Sequence, residues 1–155
     1  MTPKERKEYI LNLDKVVRRW RDNSNLFRGG CCFTAGQIAS LLEKKHIDYQ
    51  VICWQCGYVS KPDLKEVILN NDCAHVAIQV SINNEKFIIG GSFDHFLVKS
   101  INTYTNIKSE EIVKYDMLAA NEGIWNDSYN RRLNTRFTNV LNKSVSKFAK
   151  ITSVY

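Results

Sequence analysis

The chain has 155 residues, 44% hydrophobic and 25% charged with two prolines, which suits one globular domain built on one core. No run approaches the ~18 apolar residues of a membrane span, and Met1-Thr2-Pro3-Lys4 opens nothing like a signal peptide. The expectation is a cytoplasmic protein with no membrane association, whose five cysteines, an odd number, stay reduced. The net charge of +6 is uneven: residues 1–30 hold eight Lys/Arg against four Asp/Glu, residues 126–155 six against one, and the centre is mildly acidic. Basic ends suit an anionic partner, and equally a pair of solvated helices.

In chain order, Tyr9, Ile10, Leu13, Val16, Val17 and Trp20 recur at 3.6-residue spacing and predict an amphipathic helix over 3–22. Pro3 suits its first turn, and Asp22-Asn23-Ser24-Asn25 ends it. A second helix runs from about Cys31 to His46, followed by a strand over 49–54 and a short helix over 62–69. Residues 75–82, Asn83-Asn84 and 85–89 form the clearest β signal, a hairpin with a tight turn. A helix over 108–121 and a long one over 126–149 complete the chain. Helices at both ends of a small antiparallel sheet make the fold class α+β, in a single domain: an N-terminal helix over 1–27, a core over 28–100 and C-terminal helices over 108–150.

Chemistry concentrates at Gly29-Gly30-Cys31-Cys32, where a glycine loop enters a helix. Free amides and the positive end of the helix dipole favour a thiolate there, and the same amides could hold an oxyanion. Gly29 and Gly30 would let a substrate backbone come close. The base must come from three histidines. His46 lies ~20 Å along the same helix, and His95 follows the Gly90-Gly91 break, whereas His75 opens a strand and is the better candidate. Helical phase sets Cys31 with Ala35, Ile38 and Leu42 on the buried face and turns Cys32 toward a cleft, so Cys32 is the favoured nucleophile, with Cys31 the alternative.

Arg28-Gly29-Gly30-Cys31-Cys32, then His75-Val76-Ala77-Ile78-Gln79-Val80 and Phe87-Ile88-Ile89-Gly90-Gly91-Ser92-Phe93-Asp94, resembles the papain-like superfamily. The likeness is to its arylamine N-acetyltransferase and transglutaminase-like branches, and it covers residues 28–94. It implies a papain-like core in which Cys32, His75 and Asp94 act in that order on an amide or thioester, by hydrolysis or by acyl transfer to a protein or small molecule, without a cofactor or metal. In the family the acid falls near the position of Gly90; here the first carboxylate is Asp94. Trp54, in the strand after the nucleophile's helix, is a candidate pocket wall, or a core residue.

Two other classes compete. Cys53, Cys56, Cys73 and His75 could form a small structural zinc site, although Cys73-Ala74-His75 is spaced tighter than usual ligand pairs. The Cys53-Trp54-Gln55-Cys56 pair is a weaker redox motif, because it does not open a helix. Arg132, Arg136, Lys143, Lys147 and Lys150 recur at helical spacing as a basic stripe that could lie along phosphates in a noncatalytic binding module.

Overall fold

The computed structural model describes residues 1–23, 31–56, 63–90, 98–124 and 143. Gly29, Gly30, Asp94, His95, Arg132, Arg136, Lys147 and Lys150, and all of the last helix but Lys143, lie outside them. The chain is α+β, with order α1 (Pro3–Asn23), α2 (Cys31–Lys44), β1 (Gln50–Gln55), α3 (Leu64–Leu69), β2 (Cys73–Ile82), β3 (Glu85–Ile89), β4 (Ser100–Tyr104) and α4 (Ser109–Asn121). Among the described residues no helix is long and apolar enough to cross a membrane.

α1 starts where local chemistry is strongest. The Thr2 hydroxyl accepts the Glu5 amide at 3.2 Å while the Glu5 carboxylate accepts the Thr2 amide at 3.3 Å, a reciprocal capping box around Pro3. Tyr9, Ile10, Leu13 and Val17 are buried from this helix, which packs on β3 and β2. α3 is capped by Asp63, whose side chain accepts the Lys65 amide.

The four strands pair antiparallel in the order β3-β2-β1-β4. Asn83 and Asn84 join β2 to β3 with positive φ at both positions, 49° and 67°, as the tight hairpin turn requires. β4 went unread in the sequence: Ser100-Ile101-Asn102-Thr103-Tyr104 buries no residue fully, because it is an edge strand, and only its partner β1 identifies it.

The larger core lies between one sheet face and the helices, and joins Ile10, Leu13, Ile38, Leu42, Val51, Cys53, Val76, Ile78 and Ile112. A smaller cluster of Ile52, Trp54 and Ala77 occupies the other sheet face. α2 is enclosed on two sides, by β2 and by α4. Its 14 residues are apolar enough for both contacts, with Ala35, Ile38 and Leu42 buried on one stripe and Cys32, Gly36 and Ala39 on another.

Candidate active site

The two thiols at the start of α2 point in different directions. Cys32 shares a helix stripe with Gly36, and its Sγ meets the Ile112 carbonyl of α4 at 3.6 Å. It is 1% exposed, whereas Cys31 is half-buried. The expected cleft orientation of Cys32 is thus corrected. A phase argument with one buried face fails for a helix covered on two, and α4 closes the side that seemed free.

Cys31 faces the stretch of β2 beyond the end of β3. The nearby backbone amides of Val76 and Cys32 favour its thiolate. Burial outweighs them, and with the nearby Cys73 pushes the Cys31 thiol up to about 12. Burial likewise holds the Cys32 thiol well above its ordinary value, with smaller contributions from Cys31, Asp116 and Cys73. Both thiols are therefore protonated at rest. Asp116, only 9% exposed on α4, adds a negative charge that disfavours either thiolate. Sequence reasoning missed it; the available signal was an acid in register with Ile112 and Ala119 on the apolar stripe of α4.

His75 pairs with Trp54 across β1 and β2, so the two side chains share a sheet face, and their rings lie 5.4 Å apart at 44°. This is the face of Ile52 and Ala77, opposite the one that meets α2. The ring turns to the strand edge, where its Nε2 lies 3.3 Å from the Gly90 carbonyl. A carbonyl only accepts, so Nε2 carries hydrogen and Nδ1 of the neutral ring is left with the lone pair. Trp54 is 4% exposed, buried beside this histidine. Val76 and His75 are consecutive on β2, so Cys31 and His75 lie at neighbouring positions but on opposite faces of the sheet.

The cysteines of β1 and β2 form a separate cluster. Cys53 and Cys73 sulfurs are 3.4 Å apart, and this contact together with burial holds Cys73 well above the usual thiol value. Cys56 is held at the Asp72 carbonyl, 3.3 Å away. A register shift between Trp54 and Gln55 turns Cys73 to the helix side while His75 leaves on the other. The zinc arrangement is therefore not assembled: among the described residues, no three His, Cys, Asp or Glu are placed to hold a metal ion.

His46 lies at the far end of α2 in a left-handed conformation, φ 55°. It lines an open polar cleft of about 900 Å³ with Glu43, Tyr49, Gln79 and Lys108, which includes none of the expected catalytic residues. No protein-family model, curated protein or solved structure significantly matches the chain.

Proposed function

We propose that the chain is a papain-like cysteine hydrolase or acyltransferase that forms an acyl-enzyme at the start of α2 from an amide or thioester. The observation that carries this reading is the place of Cys31: a half-buried thiol at the start of α2, the helix that packs on β2, the strand that holds His75. Cys32, enclosed under Ile112, supports the fold in this reading and Cys31 carries the chemistry. The resting thiol is protonated, so in this reading its proton passes around the edge of β2 to Nδ1 of His75 as sulfur attacks the acyl carbon. The leaving amine or thiol takes that proton, and water or an acceptor amine then releases the acyl group. Gly29 and Gly30 belong to the substrate approach, Trp54 to the wall beside His75, and Asp94 to a triad.

A reactive thioester probe, followed by mass spectrometry of the modified peptide, tests this. Acylation is expected on Cys31 and should be lost in Cys31→Ala and His75→Ala. Acylation on Cys32 would return the nucleophile to that residue, and equal rates in wild type and His75→Ala would remove the catalytic reading. The anionic partner expected along Arg132, Arg136, Lys143 and Lys147 is a separate proposal, and Lys143 is exposed. Salt-sensitive affinity for nucleic acid is its measurement.

A further inference from the structure

Where β3 ends, two side chains from distant parts of the chain, Asp14 and His75, meet one glycine. Asp14 lies on α1 between the core residues Leu13 and Val17, with its side chain 15% exposed. One carboxylate oxygen accepts the Gly90 amide at 3.2 Å, and the other accepts Arg18 Nε at 2.8 Å. Gly90 has φ +102°, a conformation that side-chain-bearing residues rarely adopt. From that position its carbonyl meets Nε2 of His75 at 3.3 Å. Arg18 braces Asp14, Asp14 holds the Gly90 amide, and Gly90 presents its carbonyl to the imidazole.

We propose that Asp14 is a positioning residue that, through Gly90, holds His75 with its proton on Nε2 and its lone pair on Nδ1. A hydrogen bond at one ring nitrogen sets which tautomer the neutral imidazole holds, so such an anchor selects which nitrogen carries the lone pair. A backbone carbonyl held from α1 thereby orients the ring at the end of the second hairpin strand. The anchor rests on the catalytic reading for its effect on rate, but not for its effect on the ring.

Nitrogen-15 NMR of the full chain reads this directly, with the His75 signals assigned by His75→Gln. At a pH where the ring is neutral, wild type should carry the proton on Nε2, with that proton protected from exchange with water. Asp14→Ala should speed its exchange about tenfold, the scale of one ordinary hydrogen bond. Asp14→Asn, which keeps an oxygen for the Gly90 amide, should restore most of the protection. A wild-type ring protonated on Nδ1 overturns the inference without any variant. So does unchanged exchange in a folded Asp14→Ala protein, or equal loss in Asp14→Ala and Asp14→Asn. Thioester labelling in parallel separates the two ideas. Exchange that follows Asp14 with no acylation leaves the anchor standing and removes the catalytic reading. Acylation that needs His75, with exchange indifferent to Asp14, does the reverse.

Discussion

Cys31 and Cys32 are neighbours with unlike surroundings, which makes their reactivity a sharp test. Cys32 is 1% exposed and held well above the ordinary thiol value by burial, while Cys31 is half-buried. Iodoacetamide should therefore modify Cys31 well before Cys32 in the folded protein, and both equally in denaturant, as peptide mapping would read. Stability should show the opposite ranking. Cys32→Ala removes a methyl-sized group from between α2 and α4 and should cost about 1 kcal/mol in urea unfolding, with Cys31→Ala costing less. The presence of a reactive-looking thiol at a helix start was legible from Gly29-Gly30-Cys31-Cys32. Which sulfur is open was not, because that depends on α4, some 80 residues further along the chain.

At the scale of elements, close approach decides more than propensity. Gly36 is where α2 meets α4: a Cβ there would lie 2.8 Å from Val113 Cγ2, with the Val113 amide nitrogen at 3.6 Å. Gly36→Ala gains up to about 1 kcal/mol of helix propensity, but the contact forces a stiff valine or the helices to move. The expected net result is a loss of about 1–2 kcal/mol, read by thermal or urea unfolding. The β2–β3 hairpin offers the opposite sign. Asn84 has φ 67°, which glycine adopts without strain, so Asn84→Gly should raise stability by a few tenths of a kcal/mol or leave it level. Asn84→Val should lower it. That turn was readable because its requirement is local, whereas nothing local in Gly36 announced a helix contact.

Across the whole molecule, Glu43 ties α2 to Tyr49, just ahead of β1, and to α4. Lys108 precedes α4 without a side-chain cap, and the Glu43 carboxylate takes that place from another helix. It accepts the Ser109 amide at 2.8 Å and the Ser109 hydroxyl at 3.1 Å, with the Tyr49 hydroxyl also 3.1 Å away. Desolvation alone would raise its pKa, but the bonds from Ser109 and Tyr49 bring it below the usual value. A lowered folded pKa means stabilisation that is complete above the unfolded value, about 4.3, and lost as pH falls through the lower folded one. Glu43→Gln should therefore lose roughly 0.5–1 kcal/mol at pH 7, and the gap to wild type should close in acid, as urea titrations at several pH values would show.

By itself the sequence determined the elements with strong local rules: the amphipathic period of α1, the Asn83-Asn84 hairpin, the helix that starts at Cys31 and the α+β class. These depend on neighbours within a turn or a strand, where backbone geometry repeats. Tertiary structure alone decided what lies across the core. It turned Cys32 under Ile112, moved Cys73 to the helix side through a register shift, and assembled the β4 edge on β1. It also brought Asp14 and Glu43 to distant backbone amides. Such contacts join residues tens of positions apart, and they follow from how whole helices and sheets exclude water together, which no short stretch of chain records.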